Sequence, residues 1–303
     1  MLIEQICASL GLPPSYVDRL TNAASHAYKQ YSVPKRGGGA RTIYHPARPL
    51  KALQRWLALH VVSEWPVHHA AMAYRKGVSI YDNARLHSES SYLLRMDFSG
   101  FFESIQENDL RSYIAKQQAH FPTWSSADID AFCGICLRFG RLTIGAPTSP
   151  SLANALCYEL DSKLANICSG MGVTYSRYAD DLFFSTHHPN LLSQVEAHVI
   201  SVVAGLEIPS GLSLNGSKTR HSSKKGARRV TGITLGSDGK AYVGRDLKRS
   251  IRAMIHTYSA LSAEERARLS GLLAYVVGFD PDFKNSLIAK YGLTAIRQAS
   301  GHG

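Results

Sequence analysis

The acidic pair in Tyr178-Ala179-Asp180-Asp181 lies between two short apolar runs, Val173 to Arg177 and Leu182 to Ser185. Both runs read as strands, so the two carboxylates fall at the tight turn of a β-hairpin. Adjacent carboxylates at a turn repel each other, and a cation that shares them removes the penalty. A hard divalent ion such as Mg²⁺ suits oxygen donors of this kind and keeps positions open for water and phosphate.

A third acid stands upstream. Ser91-Tyr92-Leu93-Leu94-Arg95-Met96-Asp97-Phe98 is a strand-like run, and Ser99-Gly100-Phe101-Phe102 follows where the chain turns. Three carboxylates from neighbouring strands can bracket two metal ions roughly 3.5–4 Å apart, which activates an attacking hydroxyl and stabilises a departing pyrophosphate. Asp97, Asp180 and Asp181 are therefore the candidate metal-binding and catalytic acids.

Other elements must hold these strands in place. The first 30 or so residues read as helical, with Leu10, Val17 and Leu20 as candidate core and Pro13-Pro14 at a helix start. Arg41 to Tyr44 is strand-like, and Lys51 to Val62 has helical periodicity through Leu53, Trp56, Leu57 and His60. From Gly244 onward the pattern is again helical. Ser262 with Glu265 makes a capping box, Asp280-Pro281 marks another start, and three short helices are expected. No internal repeat or low-complexity segment interrupts the chain.

At 303 residues, 45% of them hydrophobic, the chain can bury a sizeable core as one large domain or two to three subdomains around a cleft. Its formal net charge of +11 favours a polyanionic partner, nucleic acid above all. No apolar run approaches the roughly 18 residues of a membrane span, and the N-terminus lacks a signal-peptide pattern, so a cytoplasmic protein with no membrane partner is expected. Five cysteines at irregular spacing argue against a disulfide framework, and Cys133 with Cys136 in an apolar helical stretch reads as core. His68-His69 and His187-His188 read as surface or loop residues with diverging side chains.

The charge is concentrated. Between Gly216 and Arg252 eleven basic residues, Arg228, Arg229, Lys248 and Arg249 among them, face two acids. That run reads either as a solvated basic face or as a phosphate-contacting surface. A second group, Lys35, Arg36, Arg41, Arg48, Lys51 and Arg55, surrounds Gly37-Gly38-Gly39, a hairpin tip or loop.

The Tyr-Ala-Asp-Asp box, Asp97 with its aromatic pair, and Gly145-Ala146-Pro147-Thr148-Ser149-Pro150 followed by Leu152-Ala153-Asn154 resemble, in order, the palm motifs of reverse transcriptases. Asn83-Ala84-Arg85-Leu86-His87 and Val230-Thr231-Gly232 resemble the two boxes that set apart the enzymes of bacterial retrons. The resemblance runs from about Arg41 to about Gly232 and more weakly beyond. It implies an α+β right-hand polymerase fold, with fingers, a palm of antiparallel sheet and helices, and a small helical thumb. The expected division is 1–90 for N-terminal helices and fingers, 91–239 for a palm with a fingers insertion at about 105–143, and 240–303 for the thumb.

The same resemblance assigns roles. Two Mg²⁺ ions would be held by Asp97, Asp180, Asp181 and the Phe98 carbonyl. Lys218 matches the lysine that protonates the departing pyrophosphate, and Arg41 and Lys51 are candidates to hold the triphosphate of a dNTP. Phe102 falls where the family packs a side chain under the incoming sugar, and an aromatic ring there would clash with a ribose 2′-OH, implying deoxynucleotides. Gly145 belongs to the nucleotide-binding box. Ile144 departs from the glutamine usual before that glycine, which puts nucleotide affinity and fidelity in question more than the reaction.

As partners the resemblance implies a cognate structured non-coding RNA and its branched msDNA product, primed from a guanosine 2′-OH, together with an effector protein of an anti-phage defence system. Asn83, His87, Val230, Thr231, Gly232 and the basic residues Arg228, Arg229, Lys248 and Arg249 are the candidate RNA contacts, with a polar loop packed on the palm as the alternative for Asn83 and His87. No segment is left over for an RNase H or protease domain, so template removal is expected to need another protein. Two other readings remain open: an intron-type reverse transcriptase, and a non-catalytic RNA-binding scaffold on the same fold. An RNA-dependent RNA polymerase fits Phe102 and Ala179 less well.

Overall fold

Short runs rich in β-branched and aromatic residues become strands here, and the apolar-periodic stretches between them become helices. The computed structural model describes residues 2–34, 38–117, 124–278 and 280–301. Lys35, Arg36 and Gly37 of the expected loop, and 118–123 of the expected fingers insertion, lie outside the described residues. The strands are β1 (Tyr28–Pro34), β2 (Ala40–Pro46), β3 (Tyr92–Asp97), β4 (Thr174–Tyr178), β5 (Asp181–Thr186), β6 (Arg220–Ser223), β7 (Arg228–Val230), β8 (Ile233–Leu235) and β9 (Ala241–Tyr242). They form a β1-β2 ribbon, a four-stranded sheet in the order β4-β5-β3-β6, and a three-stranded sheet in the order β7-β8-β9.

Two compact units are present. The first comprises Met1–Lys76, Leu94–Phe184 and Ser193–Arg220. In it the helix Arg48–His60 buries Leu50, Leu53 and Leu57, while Trp56 is only half-buried and His60 is exposed, which corrects the expected core face. The buried residue on that face is instead Gln54, whose Nε2 donates to Tyr28 Oη at 2.7 Å and to the Ile135 carbonyl at 2.8 Å. At the N-terminus Val17 is buried as expected, but Leu10 and Leu20 are half-buried and Leu2 and Ile6 fill the core. Cys133 and Cys136 are buried in the helix Ser126–Cys136 and carry free thiols. His68 is buried, not on the surface, and its ring centroid lies 4.2 Å from that of His69, so the pair does not diverge.

The second unit comprises Gly77–Leu93, Ser185–Leu192 and His221–Gly303. Among the described residues its C-terminal part holds four α-helices, Arg245–His256, Ala263–Val277, Pro281–Tyr291 and Leu293–Ala299, one more than expected. The local start signals are used as read. Ser262 and Glu265 form the capping box, and Asp280 accepts from the Phe283 N–H at 3.0 Å with Pro281 in the first turn. Among the described residues no helix is long and apolar enough to cross a membrane.

Candidate active site

The acidic pair sits where the hairpin reading put it. β4 ends at Tyr178 and β5 begins at Asp181, leaving a two-residue turn whose Ala179 has φ 56. The turn is anchored from both sides. The Phe98 N–H donates to the Asp180 carbonyl at 3.0 Å, which sets the hairpin tip against the end of β3. On the other flank the Asn215 N–H donates to the Asp97 carbonyl at 2.7 Å and the Ser99 N–H to the Ser213 carbonyl at 2.8 Å.

This stitching delivers Lys218, in the short 3₁₀ turn Gly216–Lys218, to Asp97. Lys218 Nζ lies 2.6 Å from Asp97 Oδ1, with the lysine side chain 54% exposed and the carboxylate 4% exposed. A buried carboxylate thus takes its neutralising charge from a solvent-facing ammonium.

Asp180 and Asp181 are placed unlike each other. Burial, then the charge of Asp97, pushes the Asp180 carboxyl above its ordinary pKa, while Lys218 and Arg41 pull it back. Asp181 is engaged by a residue that sequence reading did not single out: Arg95 donates through Nε at 3.0 Å and Nη2 at 2.8 Å to Asp181 Oδ1. Burial still pushes Asp181 up to about 6, with Arg95 opposing and Asp180 and Asp97 adding to the rise. Among the described residues no three His, Cys, Asp or Glu side chains converge on one metal position. The expected convergence of three carboxylates is not seen among the described residues: Asp97 acts on Asp180, while Asp181 is turned to Arg95. Asp180, crowded by Asp97 and set beside the Phe98 backbone, makes with that carboxylate a pair of hard oxygen donors of the kind that suits a divalent cation.

Behind the turn lies a second charge pair absent from the sequence reading. Arg177, wholly buried, donates from Nε at 2.8 Å and Nη2 at 2.6 Å to the two oxygens of buried Asp161, and from Nη1 at 3.2 Å to Asn154 Oδ1 and to the Ala179 carbonyl. Asn154 belongs to the Leu-Ala-Asn run that follows the Gly-Ala-Pro box. The box is therefore tied to the acidic turn through one guanidinium.

The remaining nucleotide-site candidates fall in the same unit. Gly100 has φ 54, and the short helix Phe101–Ser104 that follows leaves Phe102 half-buried, 5.4 Å from Phe101 between ring centroids. The Ile144 carbonyl accepts from the Tyr44 N–H of β2 at 2.8 Å. Gly145 has φ 111, and a Cβ there would lie 2.5 Å from the Tyr44 carbonyl oxygen, so close backbone approach accounts for this glycine. Arg41 is exposed on β2 and its charge reaches Asp180. Lys51, half-buried in the first turn of Arg48–His60, is not among the charges that act most on Asp180.

In the second unit the structure corrects several expected RNA contacts. Asn83 and His87 are wholly buried, with His87 Nδ1 2.8 Å from Ser185 Oγ, so their side chains brace the helix Ile80–Leu86 and offer no surface. Burial lowers the His87 pKa to about 3, leaving a neutral ring. Arg228 is also fully buried: its guanidinium donates to the Ser90 carbonyl, to the Gly236 carbonyl at 2.6 Å and to the Ser88 carbonyl at 3.4 Å. Val230 is buried, and Thr231 and Gly232 form the two-residue β7-β8 turn with φ 48 and 85. Lys248 is held by Asp280 at 2.7 Å and faces the Phe283 ring. His87, Arg228, Thr231 and Lys248 each already serve an internal partner, whereas Gly232 is exposed. Arg229 and Arg249 remain exposed, and along the helix Arg245–His256 the exposed residues Arg245, Arg249, Arg252 and His256 recur at the spacing of one face.

The sequence profile described as "Reverse transcriptase (RNA-dependent DNA polymerase)" matches residues 33–235. The chain is 33% identical to the retron Ec83 reverse transcriptase of Escherichia coli, over 90% of this chain and 89% of that one. It is 32% identical to the retron Mx162 reverse transcriptase of Myxococcus xanthus, over 95% of this chain and 66% of that one. Among solved structures it superposes on telomerase from Candida albicans (TM-score 0.50, 12% identity, 90% of this chain and 61% of that one). It also superposes on the foamy viral protease-reverse transcriptase (TM-score 0.51, 16% identity, 89% of this chain and 39% of that one). The chain therefore spans less than two thirds of either solved structure, and that likeness concerns the fold, a right-hand polymerase fold of helices and antiparallel sheet.

Proposed function

The chain belongs to the reverse transcriptase family and is an RNA-directed DNA polymerase of retron type, and from that premise we propose how its residues carry the reaction. The observation that carries the reading is the crowding of Asp97 and Asp180 at an anchored hairpin tip, with Lys218 2.6 Å from Asp97. Asp97, Asp180, Asp181 and the Phe98 carbonyl would hold two Mg²⁺ ions. Bound there, the metal supplies Lewis-acid activation of the attacking hydroxyl and charge neutralisation at the phosphates.

The chain's own residues do the rest. Lys218 holds a proton at Nζ for the leaving pyrophosphate, and Arg41, with Lys51 beyond it, draws in the triphosphate. Phe102 packs under the sugar and excludes a 2′-OH, and Ile144 and Gly145 border the nucleotide through their backbone. The proposed division is fingers in 1–90 and about 105–143, palm in the rest of 91–239, and thumb in 240–303.

The template is a cognate structured non-coding RNA, primed from an internal guanosine 2′-OH to give branched msDNA. The exposed face of Arg245, Arg249 and Arg252, with Arg229, contacts its phosphates, while the Asn83–His87 and Val230–Gly232 boxes shape that surface from within. The protein acts in the cytoplasm with an effector protein in anti-phage defence. The test is synthesis on the co-purified RNA with Mg²⁺ and dNTPs, followed by debranching. A DNA product joined through a 2′,5′ linkage is expected, and a product without it leaves a reverse transcriptase without the retron priming mode.

A further inference from the structure

The segment Ala70-Ala71-Met72-Ala73 is buried and runs beside β4 just before the acidic turn. The Arg177 N–H donates to the Ala70 carbonyl at 2.8 Å, and the Met72 N–H to the Arg177 carbonyl at 2.7 Å. Its far end is pinned by side chains. Asn154 Nδ2 donates to the Ala73 carbonyl at 2.8 Å, and Arg75 Nη1 reaches back to the carbonyls of His69 at 2.9 Å and Ala71 at 3.2 Å. Asn154 is itself held by Arg177, the residue locked to Asp161.

What this scaffold presents is Tyr74. Its φ is 60, a left-handed backbone that a bulky L-residue adopts only where the surroundings impose it. The same loop uses glycine at Gly77, φ 79, where conformation alone is needed. Despite that cost the residue is a large aromatic, left 50% exposed, with its ring centroid 6.4 Å from that of Phe102. Partial burial, then the charge of Asp180, raises the Tyr74 hydroxyl above its ordinary pKa, so it stays a protonated donor beside the acidic turn.

We propose that Tyr74 is a wall of the nucleotide pocket, its ring packing with Phe102 against the sugar and base of an incoming deoxynucleoside triphosphate. The proposal rests on the polymerase reading of the acidic site. Strain held by so many bonds, and spent on an exposed ring, points to a ligand-facing role and not to the core.

Single-nucleotide primer extension on an annealed template and primer, paired with thermal melting, tests it. Glycine accepts φ 60 without strain, so Tyr74→Gly should melt at or above the wild-type temperature while KM for dNTP rises several-fold and kcat at saturation changes little. Tyr74→Phe, which keeps the ring, should restore the wild-type KM. An unchanged KM in Tyr74→Gly, a raised KM accompanied by a lower melting temperature, or a Tyr74→Phe variant as impaired as Tyr74→Gly would each overturn the assignment. A wild-type chain with no extension at all would remove the polymerase reading and this inference with it, an outcome distinct from an active enzyme indifferent to Tyr74.

Discussion

Thr231 Oγ1 donates to the Ile80 carbonyl at 3.1 Å, and it does so from φ 48, a backbone that a β-branched residue rarely takes. The bond joins the β7-β8 turn to the first residue of the helix Ile80–Leu86. Two boxes separated by about 140 residues of sequence are thereby two sides of one joint, closed underneath by Arg228. Their residue types answer to that joint: a hydroxyl to reach a carbonyl, a glycine at φ 85 to complete the turn, and a guanidinium to satisfy carbonyls that no strand pairs.

Arg228 should therefore matter to stability before it matters to RNA. Arg228→Met strands the Ser90 and Gly236 carbonyls in a buried site, at a cost of about 3 kcal/mol. Chemical denaturation should show that loss, whereas Arg229→Gln, on the exposed face of the same strand, should unfold at the wild-type midpoint. Equal midpoints for the two variants would contradict the internal role.

His87 sets a pH dependence. Its folded pKa, lowered by burial to about 3, lies below the unfolded value near 6.5. Between those values the unfolded chain binds a proton that the folded chain refuses, so stability is full above pH 6.5 and is lost as pH falls toward 3. The slope approaches about 1.4 kcal/mol per pH unit from this group. Denaturation midpoints from pH 7.5 to 5 should fall more steeply for the wild type than for His87→Gln, and parallel curves would show that the imidazole is not the group responsible.

What could be read in advance was whatever chain-local signals decide. The turn at Asp180, the bend at Gly100 and the caps at Ser262 and Asp280 each depend on residues within a few positions. The pairing of Arg95 with Asp181 depends on β3 and β5 lying side by side, and that of Arg177 with Asp161 on a helix crossing behind β4. No spacing announces either. The basic run misled for a related reason: Arg228 and Lys248 look like their exposed neighbours Arg229 and Arg249, and only the carbonyls and the Asp280 carboxylate brought to them by folding separate the two kinds.

Asp180→Asn should abolish DNA synthesis and leave the fold intact or firmer. The carboxyl is pushed up by burial and by Asp97, so the folded state bears a cost that an amide relieves. The expected pair of results is no primer extension with Mg²⁺ and a melting temperature no lower than wild type. Retained extension would remove Asp180 from the catalytic set.

Phe102 should govern sugar choice. Phe102→Val shortens the ring that the proposed pocket sets under the sugar, so incorporation of ribonucleotides relative to deoxynucleotides should rise. Competition of matched rNTP and dNTP on one template measures the ratio directly. An unchanged ratio would make Phe102 a packing residue on Phe101 and nothing more.

The last expectation separates binding of a dedicated RNA from general polymerase activity, and it rests on the face formed by Arg245, Arg249 and Arg252. All three are exposed, and they project from a helix whose Ile251 and Ile255 are buried, so replacing them leaves that helix's packing intact. Each arginine that neutralises a phosphate releases counterions, contributing roughly 0.7–0.9 to the slope of log K against log salt. The triple change to glutamine should thus flatten the slope for the structured RNA by roughly 2–3 and cut branched DNA made on it. Extension of an unrelated annealed template and primer should fall less, because the acidic tip and Lys218 are untouched. The ratio of the two activities is the decisive quantity. If both fall together, the face grips any nucleic acid alike and the dedicated RNA must be recognised elsewhere on the chain.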